Sequence, residues 1–116
     1  MAELTVYEKP TCTTCRALFE LLAERGIEAE RIDYHVTGLT EPEIRDLLAK
    51  AGAGPRDVLR AREPAYAEHV AGRNLDDDEI IALMVEHPEL LQRPIVVRGD
   101  RAVLARPPER VLELLD

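Results

Sequence analysis

The amino-acid sequence predicts an α/β fold: an N-terminal β-α-β unit and a C-terminal β-β-α unit around a mixed sheet, with a helical insertion between them. Three observations predict it. Leu4-Thr5-Val6-Tyr7 is a short strand-like run closed by Pro10, and a helical period and a second alternating run follow it. From about residue 37 to 90 the recurring apolar patterns are helical. Near the end, two short apolar runs flank Gly99-Asp100, and a last helical stretch follows them.

Each element has a local cause. From Thr13 to Arg25 the residues Ala17, Leu18, Leu21 and Leu22 recur at helical spacing, and Gly26 is a C-terminal stop. Ile27 to Tyr34 (IEAERIDY) alternates as a strand, and the intervening helix makes it parallel to the first. Thr40 with Glu43 forms a capping box for a helix whose inner face is Ile44, Leu47 and Leu48. Gly52 and Gly54-Pro55 break that helix, and Pro64 to Val70 reads as a short one. Leu75-Asp76 opens another, with Ile80, Ile81, Leu83 and Met84 as its apolar stripe and an end near His87-Pro88. The acidic run Asp76-Asp77-Asp78-Glu79 invites a metal reading, but a cap with favourable charge at a helix N-terminus accounts for it. Ile95-Val96-Val97-Arg98 and Ala102-Val103-Leu104 form a hairpin, and Pro107 opens a final helix with Val111, Leu112 and Leu115 inward. No repeat, low-complexity tract or linker interrupts the chain. Residues 1–116 therefore read as one domain, with the helical insertion at about 37–90.

Composition narrows the function. Hydrophobic residues are 46% and charged residues 33% of 116, a globular balance, while aromatics are only 3% and leave the core to Leu, Val, Ile and Ala. A net charge of −8 argues against direct nucleic-acid binding, which runs on clustered cations. Lys9 and Lys50 are the only lysines among 15 basic residues. The remaining arginines suit bidentate grip on an oxyanion, although a composition bias explains most of them. The N-terminus MAELTVYEKP lacks the basic and apolar regions of a signal peptide, and no apolar run is long enough to span a membrane. The expected home is cytoplasmic, where thiols stay reduced.

The chemistry sits in residues 9–16, KPTCTTCR, which hold both cysteines of the chain. A CxxC pair is a redox couple, half of a zinc site, or two small buried hydrophobes. A structural zinc site takes four ligands, usually two such pairs, whereas His35, His69 and His87 are scattered along the chain and are given no role. No metal is therefore expected, and redox chemistry is the strong reading. Cys12 falls at the strand-to-helix turn, where the free amides of Thr14 and Cys15 and the helix dipole lower a thiol's pKa. Lys9 and Arg16 add positive charge nearby. Cys15, one turn further in, suits a resolving thiol that closes a Cys12–Cys15 disulfide. CxxC at the first turn of a β-α-β unit is the thioredoxin-like context.

Further motifs narrow the resemblance. Val58-Leu59-Arg60, Glu86-His87-Pro88-Glu89-Leu90-Leu91, Gln92-Arg93-Pro94-Ile95-Val96-Val97 and Ala105-Arg106-Pro107-Pro108 occur in register with YEKPTCTTCR. Together they resemble the glutaredoxin-coupled arsenate reductase family across the whole chain. The resemblance implies a thioredoxin-like fold and a catalytic Cys12 that attacks arsenate. It also implies that Arg60, Arg93 and Arg106 hold the oxyanion and that Arg93-Pro94 is a cis bond. No bound cofactor is implied; glutathione, or a glutaredoxin or thioredoxin, serves as reductant. Two positions depart from the pattern. Glu8 stands where members of that family often carry a histidine, and it raises rather than lowers a neighbouring thiol's pKa. Cys15 stands where the best-known members carry serine, and CTTCR is similar to Spx-type regulators that bind RNA polymerase. Arsenate reduction therefore leads over two alternatives, a general thiol-disulfide reductase and a redox-sensing adaptor of the Spx type.

Overall fold

The computed structural model describes residues 4–115; Met1, Ala2, Glu3 and Asp116 lie outside it. The elements are β1 (Leu4–Glu8), α1 (Thr13–Glu24), β2 (Ala29–Asp33), α2 (Tyr34–Thr37), α3 (Glu41–Ala51), α4 (Pro64–His69), α5 (Asp77–Glu86), β3 (Ile95–Arg98), β4 (Arg101–Leu104) and α6 (Leu112–Leu115). Three short 3₁₀ turns, at Pro55–Val58, Pro88–Leu90 and Pro108–Val111, complete the order.

The sheet order is β2-β1-β3-β4. β1 pairs parallel with β2, antiparallel with β3, and β3 antiparallel with β4, giving the mixed sheet expected. Because side chains alternate across a strand, each face carries its own core. Leu4, Val6, Val96 and Val103 pack with Leu18 and Leu22 of α1 and with Val111 and Leu114. Ile95 packs on the opposite side with Tyr34, Ile44, Leu47, Ile80, Met84 and Leu90. The helices between β2 and β3 cover that second face.

Caps explain the helix ends. Gly26 takes φ +67°, its N–H bonds the Ala23 carbonyl and the N–H of Ile27 bonds the Leu22 carbonyl, a Schellman closure of α1. Ile27 is thereby committed to the helix end, so β2 begins at Ala29 and is shorter than the alternation predicts. It also ends earlier, because the Asp33 carboxylate accepts from the N–H of His35 and starts α2, taking Tyr34 out of the strand. Thr40–Glu43 is a complete capping box, as its sequence predicts, and the cap expected at Asp76 is also a complete box with Glu79. The last helix differs: Pro107 is an extended cap, Pro108 opens a 3₁₀ turn, and α-helix begins only at Leu112.

One small ladder positions the site. Leu59 bridges Leu91 in antiparallel fashion, with Arg60 N–H to Leu90 O at 2.7 Å and Gln92 N–H to Val58 O at 2.8 Å. The buried Tyr34 hydroxyl donates to the Leu91 carbonyl at 2.6 Å and pins the same segment from below. Residues 58–60 and 90–92, far apart in sequence, are held side by side, with Arg93 next in the chain.

Candidate active site

Cys12 is the N-cap of α1, and the N–H of Cys15 points at its sulfur from 3.4 Å. Cys12 is 9% exposed and Cys15 fully buried, and both are free thiols. Burial alone would raise the Cys12 pKa, but it is outweighed by the Cys15 thiol and amide, which donate to the sulfur, and by the Arg93 guanidinium beside it. The net result is a Cys12 thiol below its ordinary value. Cys15 goes the other way: burial, with the negative charge of Cys12 and Glu8 nearby, pushes it up to about 12. The cation that acts most strongly on Cys12 is Arg93, ahead of the Lys9 and Arg16 that sequence proximity suggests.

Glu8 explains part of this asymmetry. It is buried at the end of β1, pairs with Arg31 at 3.4 Å, and burial raises its own pKa. Arg31 in turn lies 3.8 Å over the Phe19 ring. The expected upward push of Glu8 on a thiol falls on Cys15.

A cavity of about 330 Å³ opens over Cys12. Thr11, Thr13 and Thr14 line it from the thiol turn, and Arg60, Arg62, Arg93 and Arg106 line it from elsewhere in the chain. All five expected residues are thus in one neighbourhood: Cys12, Arg60, Arg93 and Arg106 face the cavity, and Cys15 lies behind Cys12. Arg93 is only 5% exposed, and its Nε and Nη1 are buried without a hydrogen-bond partner. Arg106 donates to the Arg93 carbonyl at 2.9 Å, and Arg60 donates to Gln92 Oε1 at 3.3 Å. The Arg93–Pro94 bond is cis, as the resemblance implies; Arg106–Pro107 is cis as well.

Sequence alone does not single out Arg62 or Glu63. Arg62 lines the cavity, while Glu63 Oε1 accepts from Arg60 Nε at 2.9 Å and lies 3.8 Å from Arg93 Nη1. Nothing in their spacing separates them from ordinary surface charges. The histidines are less scattered than the sequence suggests. His35 lies against Tyr34, its ring nitrogens buried and unpartnered, its pKa lowered by burial and by Arg93 and Lys9. His69 and His87 stack with ring centres 4.5 Å apart. Among the described residues, no group of three or more His, Cys, Asp or Glu side chains is placed to hold a metal ion.

This arrangement has close counterparts. The protein YfgD of Escherichia coli is 36% identical over 115 residues, covering 97% of each chain. An arsenate reductase of Neisseria meningitidis is 36% identical over 117 residues, covering 99% of this chain and all of that one. The solved arsenate reductase of Vibrio cholerae superposes with a TM-score of 0.90 at 37% identity, over 97% of this chain and 98% of that one. The pattern of the ArsC family matches residues 7–114, from the strand that delivers Cys12 into the last helix. With that match spanning both the thiol turn and every cavity-lining arginine, the chain belongs to the ArsC family.

Proposed function

We propose that the protein is a thiol-dependent arsenate reductase, with Cys12 as nucleophile, Cys15 as resolving thiol, and Arg60, Arg93 and Arg106 as the oxyanion grip. What carries this beyond thiol chemistry is Arg93. Two of its N–H donors are buried and unpartnered above the thiol, and a tetrahedral oxyanion presents oxygens to such donors in pairs. A disulfide substrate would offer them nothing.

Arsenate enters the cavity, and the Cys12 thiolate attacks arsenic and displaces one oxygen as water, forming a sulfur–arsenic bond with arsenic still pentavalent. The arginines offset the negative charge on the remaining oxygens. Cys15, or an external thiol such as glutathione, then attacks the Cys12 sulfur. The new S–S bond forms as the S–As bond breaks; its electron pair stays on arsenic, which leaves as arsenite. An external dithiol, glutaredoxin or thioredoxin, restores the thiols by exchange. We place the reaction in the cytoplasm and assign it to residues 1–116 acting as one domain, with the segment at about 37–90 contributing Arg60. The relatives named arsenate reductase favour this over a general disulfide reductase or a transcriptional adaptor. The test is thiol consumption on adding arsenate, compared between glutathione–glutaredoxin and thioredoxin systems. Arsenate-dependent turnover with either supports the proposal, and none with either refutes it.

A further inference from the structure

Four arginines lining one cavity repel one another, and one carboxylate offsets two of them. Glu63 is the N-cap residue of α4, where an acidic side chain ordinarily accepts from first-turn amides. Its side chain makes no such bond. Pro64 follows as the first helical residue, and the carboxylate turns instead toward Arg60 and Arg93. At 2.9 Å it is hydrogen-bonded to Arg60 Nε; at 3.8 Å from Arg93 Nη1 it supplies charge without satisfying the donor. Its side chain is 21% exposed, so solvent screens the contact only in part.

We infer that Glu63 is a built-in counter-anion that an incoming tetrahedral oxyanion displaces from Arg60 and Arg93, and that it thereby sets how tightly the cavity holds anions. This rests on the proposed reduction, whose substrate arrives negatively charged and whose product leaves as a neutral acid near neutral pH. As the product departs, the carboxylate returns to the guanidinium pair, and the buried Arg93 and the partly buried Arg60 regain a counter-charge. Without it, any abundant tetrahedral anion would be held for longer. Glu63 acts through the two arginines and is a positioning residue.

The test uses inorganic phosphate, which has the shape and charge of arsenate and is not reduced. Glu63→Gln keeps an acceptor for Arg60 Nε and removes the charge. Phosphate should bind at least about fivefold more tightly by calorimetry, and the KM for arsenate should fall without a rise in kcat. Glu63→Asp, which keeps the charge, should stay near the parent affinity. A purely structural Glu63 would give the opposite result, with weaker phosphate binding as the arginines lose alignment. Unchanged or weaker binding in Glu63→Gln at a native melting temperature overturns the inference. If that variant does not fold, Glu63→Ala carries the same comparison. Because phosphate binding needs no arsenic chemistry, the two failures are distinct. Tighter phosphate binding in a protein that leaves arsenate untouched refutes the reductase proposal alone; arsenate turnover with no gain for phosphate refutes the counter-anion alone.

Discussion

Cys12 and Cys15 lie one helical turn apart and titrate in opposite directions, because one sits at the helix mouth and the other inside it. Near neutral pH an alkylating reagent should therefore modify Cys12 first, with a half-maximal rate at a lower pH than an unperturbed thiol shows. Cys15, pushed up to about 12, should stay unlabelled until the fold opens. Peptide mapping after brief labelling decides this, and faster labelling of Cys15 would reverse the two roles. The arginines divide the functions more sharply. Arg93→Ala removes a charge-assisted contact worth roughly 1.5–3 kcal/mol, so arsenate turnover should fall on the order of tenfold or more. Reduction of an uncharged model disulfide, compared at a pH where Cys12 is ionised in parent and variant alike, should change far less. Arg106→Ala and Arg60→Ala should follow the same pattern. Arsenate kinetics unaltered in both Arg93→Ala and Arg106→Ala would remove the oxyanion grip from the mechanism.

At the scale of elements, a buried carboxylate and a helix cap make contrasting contributions. Glu8 has a folded pKa above its unfolded one, chiefly through burial. The native state then holds a proton that the unfolded chain releases, so Glu8 costs stability once the pH rises through the unfolded value, and the cost levels off above the folded value. Glu8→Gln should raise the melting temperature near pH 7. The gain should fade as the pH is lowered through the carboxylate range; a loss at pH 7 would mean that the Arg31 pair dominates. Asp76 contributes in the other sense. Its carboxylate accepts from the N–H of Glu79 at 2.8 Å, and the Glu79 side chain reaches back to the N–H of Asp76. Asp76→Ala should cost about 1 kcal/mol in denaturant unfolding. Millimolar divalent cations should leave the parent's melting point unchanged, because the acidic run serves as a cap. These caps were legible in the chain, since a cap is a local rule over four residues. The shortened β2 was not: Ile27 is taken by the closure of α1 and Tyr34 by α2, and neither competition shows in alternation alone.

Across the whole molecule, two cores hold the sheet between unlike layers, and the helical side carries the site's second half. Met84 is fully buried among Leu90, Leu91 and Ile80 in that layer. Met84→Ala should destabilise the protein by roughly 2–5 kcal/mol through the cavity it leaves, a large share of the 5–15 kcal/mol typical of a domain. Denaturant unfolding monitored by circular dichroism measures it. The sequence by itself determined the β-α-β and β-β-α units, the caps of α3 and α5, and the thiol pair at a helix mouth. Each of these follows from periodicity and neighbours within a few residues. Resemblance added Arg60, Arg93 and Arg106. Only the tertiary structure decided that Arg93, 81 positions beyond Cys12, is the cation that most lowers its pKa. It alone brought Arg62 to the cavity, turned Glu63 toward two arginines, and set Glu8 against Cys15. Those contacts depend on the Leu59–Leu91 bridge and on burial, and electrostatics at a site follows distance and desolvation through space rather than order along the chain.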